Sequence, residues 1–163
     1  MKVFFDSTYF FTSIGIQPKG IPKDYLLDWL ENPNNHQFVY SLITLFELQA
    51  KGAKYVQTKV LKPKDVTKGV NAINLEKELT QIPFWEANIS LIAFELRELH
   101  NDFIDCIILA SAFAYADVLV SEDKLIHNLL QEPRILKLMQ SKKINPNFSI
   151  RKANQLVPAK KRS

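Results

Sequence analysis

The sequence predicts an α/β fold in which helices cover both faces of a central parallel sheet. Short apolar runs typical of buried strands alternate along the chain with longer segments of helical period. Parallel strands need crossover connections, and these place helices on both faces of a sheet. The chain has 163 residues, 47% of them hydrophobic, which is enough for one domain with a substantial core. We therefore expect a three-layer α/β/α sandwich.

Five short segments have the composition of strands. They are residues 2–5, 37–40, 81–85, 118–120 and 148–151. Pro83 lies within the third segment and cannot donate a ladder hydrogen bond, so we expect that strand at an edge or an end of the sheet. The fifth segment is also expected at an edge.

The segments between these strands carry apolar residues at helical spacing. Predicted helices cover residues 9–14, 24–31, 42–50, 65–79, 87–100, 102–115 and 124–140, the last interrupted at Pro133. Residues 102–115 are apolar nearly all round, so we expect this helix to be central and buried. Ser41 is a candidate N-cap for the third helix. Residues 55–63 are ambiguous.

The chain shows no internal repeat and no long linker, so residues 1–150 are predicted to form a single domain. Residues 151–163 are predicted to be a basic tail. The single cysteine, Cys106, excludes an intrachain disulfide and fits a reducing compartment. Asp6 interrupts the first apolar run, and residues 106–116 are too few to span a bilayer. These features predict a soluble, cytoplasmic protein without membrane contact.

The chain carries a formal net charge of +4, and its lysines are unevenly distributed. Two interpretations remain open: a solvated surface, or a rim that binds phosphate groups. The basic cluster consists of Lys51, Lys54, Lys59, Lys62, Lys64 and Lys68.

Four acidic residues stand where a strand gives way to a helix. Asp6 directly follows the first strand, and Asp123 lies just beyond the fourth. Glu47 lies on the second turn of a predicted helix, and Asp105 opens the apolar one. Ligands of open α/β sheets bind at the carboxyl ends of the strands, so all four residues can face one edge.

Such a group of carboxylates predicts a hydrolytic metal site. Carboxylates are costly to bury unless something neutralises them, and several in one pocket raise each other's pKa or recruit a cation. Ligand sets made of oxygen suit Mg²⁺ or Mn²⁺. Such an ion can polarise a phosphoryl oxygen and make a bound water a better nucleophile.

Each acidic residue also has a purely structural interpretation. Asp6 and Asp123 could cap helices, and Asp105 could be favoured by a helix dipole. Glu47 could be an ordinary exposed helix residue, although its neighbours are apolar. The four together, in this order, favour the site.

Four sequence blocks carry a resemblance to a known family. They are VFFDST at 3–8, SLITLFEL at 41–48, DCIILASA at 105–112 and VLVSED at 118–123. With these blocks the chain resembles the PIN domain, the fold of VapC-type toxins and related metal-dependent ribonucleases. The resemblance covers roughly residues 1–150, and the third and fourth blocks are its specific part.

The resemblance implies a PIN-like sandwich and endonuclease activity on single-stranded RNA with Mg²⁺ or Mn²⁺. Asp6, Glu47, Asp105 and Asp123 carry over as the catalytic and metal-binding set. Ser7 or Thr8 would support the first of these, and Ser121 matches the family's Ser/Thr before the last acid. A VapC-like role further implies an antitoxin partner and a homodimer.

Two regions depart from the family pattern: the lysine-rich stretch between Glu47 and residue 81, and residues 137–163, which run past its usual end. Asp102 lies on the same helix face as Asp105 and is either an N-cap, the favoured interpretation, or a fifth acid of the site. Glu122 and Asp117 are expected to be exposed.

Other candidates are weaker. His36, His100 and His127 lack metal-ligand spacing, so we do not expect zinc. Cys106 is expected to pack in the central helix. The apolar face of helix 24–31 is either core or a dimer interface. Two further functions stay open: a PIN-domain nuclease of RNA processing or decay without an antitoxin, and a non-catalytic PIN domain that binds RNA or protein.

Overall fold

The architecture is α/β with a five-stranded parallel sheet, as predicted. The structure is a computed structural model, and it describes residues 1–33 and 35–156. The basic end of the predicted tail, Lys160-Lys161-Arg162, lies outside the described residues. In the part described, no helix is long and apolar enough to cross a membrane.

The strands are arranged in the order β3-β2-β1-β4-β5, and every neighbouring pair is parallel. The first strand of the chain is therefore the central one, and the third and fifth lie at the edges as predicted. All five carboxyl ends meet at one edge of the sheet. The strands are β1 (Lys2–Phe5), β2 (Gln37–Ser41), β3 (Leu79–Ile82), β4 (Val118–Val120) and β5 (Ser149–Arg151).

The described residues also contain seven α-helices and two short 3₁₀ helices, of which only the second 3₁₀ helix lies after the last strand. The 3₁₀ helices are Ser7–Ile14 and Ala153–Gln155. The α-helices are α1 (Tyr25–Glu31), α2 (Ile43–Gln57), α3 (Pro63–Asn74), α4 (Ala87–Arg97), α5 (Phe103–Tyr115), α6 (Lys124–Leu129) and α7 (Pro133–Ser141).

Two apolar cores lie on opposite faces of the sheet. Successive side chains of a strand point to opposite faces, so Phe4 packs with α4 and α5 while Val3 and Phe5 pack with α1 and the 3₁₀ helix Ser7–Ile14. Eight consecutive residues of α5, from Cys106 to Phe113, are buried. This confirms that α5 is the central helix and that Cys106 packs within it.

Helix α2 differs from its prediction because it continues to Gln57 instead of ending near residue 50. Glycine weakens a helix interior, yet Gly52 lies inside α2 at a close contact with α3. A Cβ atom there would stand 2.5 Å from Cγ1 of Val66. Ser41, the predicted cap of this helix, is instead the last residue of β2.

The apolar face of α1 belongs to the core. Tyr25, Leu26 and Trp29 are buried against the 3₁₀ helix Ser7–Ile14 and the sheet. The dimer-interface interpretation of this face is therefore wrong, since its aromatic side chains already have partners within the chain.

Candidate functional site

The carboxyl edge of the sheet collects the four predicted acidic residues. Asp6 follows β1, and Asp123 comes just after β4 and immediately before α6. Glu47 lies on the second turn of α2, which follows β2, and Asp105 lies on the first turn of α5. Asp105 and Asp123 line one surface pocket together with Asp102 and His100.

Asp6 is the most buried of the four, with 6% of its surface exposed. Oγ of Ser121 donates a hydrogen bond of 2.7 Å to its Oδ2. Burial raises the pKa of Asp6 to about 6 against the effect of this bond, and the charges of Asp105 and Asp123 add to the rise. Asp6 is thus held close to two other members of the set.

Glu47 is half-buried and faces the same group. Burial raises its pKa to about 7 against the effect of the Ser7 hydroxyl, and the charges of Asp6, Asp105 and Asp102 add to the rise. Within residues 1–33 and 35–156, its buried Oε2 finds no hydrogen-bond partner. A carboxylate oxygen left in this condition is costly, and a cation would satisfy it.

Asp105 has a partner that the sequence did not predict. Nε2 of His100, a buried residue, lies 2.9 Å from Oδ2 of Asp105. Burial raises the pKa of Asp105, while the hydrogen bond from His100 opposes the rise and the charge of Asp102 adds to it. His100 was missed because it was predicted as the last residue of helix 87–100, whereas α4 ends at Arg97 and His100 lies in the loop before α5.

Ser121 connects two of the acidic residues. Its Oγ donates to Asp6, as described, and accepts a bond of 3.1 Å from the backbone N–H of Asp123. Its carbonyl oxygen lies 2.8 Å from Nε2 of His127. Ser121 therefore contacts both Asp6 and Asp123, and its supporting role in the site stays a prediction.

Asp123 and Asp102 both cap helices. Oδ1 of Asp123 accepts bonds from the N–H groups of Leu125 (2.6 Å) and Ile126 (3.4 Å) at the start of α6. Oδ1 of Asp102 accepts from Ile104 at 2.9 Å and from Asp105 at 3.4 Å. The favoured interpretation of Asp102 as an N-cap is confirmed.

Ser7 and Thr8, the other predicted supporting residues, begin the 3₁₀ helix that follows Asp6. Ser7 is buried, and its Oγ lies 2.9 Å from Oγ1 of Thr44, so this hydroxyl pair joins the segment after β1 to α2. Thr8 is half-buried.

The expected exposure of Glu122 and Asp117 is wrong. Oε1 of Glu122 accepts bonds from Oη of Tyr9 (3.0 Å) and from the N–H of Ala153 (2.8 Å). Asp117 accepts bonds from the N–H of Lys2 and from the side chain of Asn145. Both carboxylates hold distant chain segments together, and sequence position alone could not indicate this.

The carboxylate oxygens of this site are suitable ligands for a hard divalent cation, although they do not already surround a common point. In the described part of the chain, no group of three or more His, Cys, Asp or Glu side chains is already arranged to hold an ion. The fit rests on the all-oxygen donors, their mutual repulsion and the unpartnered Oε2 of Glu47.

The comparison with protein families identifies the class of protein. The model of the PIN domain family matches residues 20–129, which is more than half of the chain. The chain therefore belongs to the PIN domain family, whose members are generally nucleases. The matched span includes Glu47, Asp105 and Asp123, while Asp6 lies before it.

A solved structure has the same fold. It is the crystal structure of VapBC2 from Rickettsia felis bound to a DNA fragment from the VapBC2 promoter. The match has a TM-score of 0.57 and 20% sequence identity, and it covers 93% of this chain and 98% of that chain. Identity at this level speaks for the fold alone. No curated protein matches this chain.

Proposed function

We propose that this PIN domain is an endoribonuclease that hydrolyses phosphodiester bonds of single-stranded RNA with Mg²⁺ or Mn²⁺. The observation that carries the proposal is the meeting of four carboxylates from four distant chain segments at the carboxyl edge of the sheet. Their residues are Asp6, Glu47, Asp105 and Asp123, which we assign as the catalytic and metal-binding set.

The chemistry follows from the donors. A divalent cation held by these residues would polarise a phosphoryl oxygen of the substrate and activate water for attack. Ser121 holds Asp6 by a hydrogen bond. Asp102 and Asp123 are held by the hydrogen bonds that they accept as N-caps of α5 and α6. A bound cation would relieve the mutual repulsion of the carboxylates, and this relief would favour cation binding.

We further propose that the protein is the toxin of a VapBC-type pair, with an antitoxin and a second copy of itself as partners. Support comes from the family and from the shared fold with VapBC2, a toxin–antitoxin complex. Exposed apolar side chains on α4 and α5 offer a surface for such a partner. The rings of Phe94 and Phe103 stack with their centres 5.6 Å apart, and Leu91, three residues before Phe94, is also exposed. We expect the pair to act in the cytoplasm.

The test is cleavage of a mixed single-stranded RNA by purified protein with Mg²⁺ or Mn²⁺, with EDTA, and with D105N. D28N is the matched control, because Asp28 is an exposed acid on α1, outside the acidic set. We expect wild type and D28N to cleave alike, and EDTA and D105N to abolish cleavage. Cleavage that survives both would contradict the proposal.

A second candidate is a non-catalytic PIN domain that binds RNA or protein. It is favoured by one observation: the carboxylates of the described residues are not closed around a cation site. Folded wild-type protein that neither cleaves RNA nor binds Mn²⁺ would support this candidate. A nuclease of RNA processing without an antitoxin would cleave in the test above and would have no antitoxin that inhibits it.

A further inference from the structure

We propose that His100 is a positioning residue that fixes the orientation of Asp105 for cation binding. The inference rests on the proposed function, because it assigns a role to a residue that contacts one of the proposed ligands. It starts from an imidazole that is 8% exposed and directed at the acidic set, in a chain whose histidines have no zinc-ligand spacing.

The contact defines which oxygen of Asp105 is engaged. Nε2 of His100 lies 2.9 Å from Oδ2. An ionised carboxylate only accepts hydrogen bonds, so Nε2 carries the proton and donates it to Oδ2. Oδ1 does not accept this bond, so we expect it to be the oxygen of Asp105 that binds a cation.

The backbone of His100 is itself held firmly between α4 and α5. Its carbonyl oxygen accepts a bond of 2.9 Å from Nη1 of Arg97 and a weaker one of 3.8 Å from Sγ of Cys106. Its N–H donates to the carbonyl oxygen of Leu96 at 3.0 Å. The backbone position of His100 is therefore fixed. Because of this, the hydrogen bond between the two side chains restrains Asp105 and does not displace His100.

This restraint opposes the repulsion that acts on Asp105. The neighbouring carboxylates of Asp102 and Asp123 disfavour the charged form of Asp105, whereas the hydrogen bond from His100 favours it. Groups that orient a metal ligand in this way typically change metal affinity by about 10- to 100-fold when they are removed.

The test is Mn²⁺ affinity, measured by isothermal titration calorimetry on the full chain, with H100Q and H100N. The amide nitrogen of glutamine reaches about as far from the backbone as Nε2, whereas that of asparagine reaches only as far as Nδ1. We expect the dissociation constant to rise roughly 10- to 100-fold in H100N and to stay within about threefold of wild type in H100Q.

H36N controls for the loss of a histidine as such, because His36 packs against Trp29 before β2, at the opposite end of the strand from the acidic set. It should bind Mn²⁺ like wild type. Equal affinities of H100N and H100Q, or wild-type affinity of H100N, would overturn the positioning role.

D105N separates this inference from the proposed function. Loss of Mn²⁺ binding in D105N with unchanged binding in H100N would remove the role of His100 and leave the metal site intact. Unchanged binding in D105N would remove the proposed site itself. Thermal unfolding without metal, measured for each variant, distinguishes altered binding from a folding defect.

Discussion

The hydroxyl of Ser121 has one proton, and it is directed to the buried carboxylate of Asp6. The same oxygen accepts the N–H of Asp123, so a small side chain joins the ends of β1 and β4. A buried charge that loses such a donor bears a larger desolvation penalty.

S121A should therefore lower the free energy of unfolding at neutral pH by roughly 1–3 kcal/mol. S121T, which keeps a hydroxyl, should lose less. Urea denaturation followed by circular dichroism measures both. Equal stability of S121A and wild type would show that the hydrogen bond to Asp6 contributes nothing.

The pKa of Asp6 predicts how stability depends on pH. Folding raises this pKa from 3.8 to about 6, so between these values the folded protein binds more protons than the unfolded chain. The free energy of unfolding of the metal-free protein therefore falls as pH rises through this window. The destabilisation is complete above about pH 6, where the carboxylate is charged in both states.

D6N removes this titration. In EDTA at about pH 7.5 it should be more stable than wild type by roughly 2–3 kcal/mol, and the difference should shrink towards pH 4. Saturating Mn²⁺ should raise the melting temperature of wild type and not that of D6N. A pH-independent difference between the two would contradict the raised pKa of Asp6.

At the scale of elements, α3 approaches its neighbours through glycine. A Cβ atom on Gly69 would stand 2.1 Å from the carbonyl oxygen of Ser13, which is backbone. On Gly52 of α2 it would meet the side chain of Val66 instead. A side chain can shift or be shortened, whereas a packed backbone cannot.

G69A should therefore destabilise the protein by roughly 2 kcal/mol or more, despite the higher helix propensity of alanine. G52A should also destabilise it, and V66A should recover part of that loss in the double variant because it removes the obstructing methyl groups. Urea midpoints measure the series. A stable G69A would mean that α3 can move away from Ser13.

The elements were largely predictable from sequence, and their contacts were not. Strand runs such as 2–5 and 118–120 are local patterns, and the parallel arrangement then places Asp6 and Asp123 at one edge. The pairing of His100 with Asp105 depends on a loop conformation. The length of α2 was also not predictable, because glycine has a low helix propensity. Gly52 nevertheless lies within α2, at the close contact with Val66 of α3.

At the scale of the whole molecule, the net charge of +4 is unevenly distributed. Five lysines of the basic cluster are exposed, and Lys51 is half-buried with its Nζ 5.7 Å from the centre of the Phe11 ring. Lys51 follows Glu47 by one helical turn, so the cluster begins beside the acidic set. The basic cluster was interpreted either as a solvated surface or as a rim that binds phosphate groups, and its position beside the acidic set favours the rim.

A triple Lys→Gln variant at 54, 59 and 62 tests the rim. We expect weaker binding of single-stranded RNA by metal-free protein and a salt dependence reduced by about 0.7 in log–log slope for each phosphate that the variant no longer neutralises. The control removes the same charge elsewhere, at exposed Lys19, Lys23 and Lys137. Fluorescence anisotropy at several salt concentrations measures both. Equally weakened binding in the two variants would indicate a general charge effect without a rim.

β1 precedes the other four strands of this sheet along the chain and is the central strand of the finished sheet. One edge of β1 pairs with β2, and its other edge can pair only after β4 has been synthesised. The N–H of Asp6 also bonds to the carbonyl oxygen of Val120, at the end of β4. The four acidic residues therefore cannot meet on a nascent chain until about residue 123 has left the ribosome. The endoribonuclease proposed above would therefore stay inactive on the ribosome until that point, close to the RNA that it would cut.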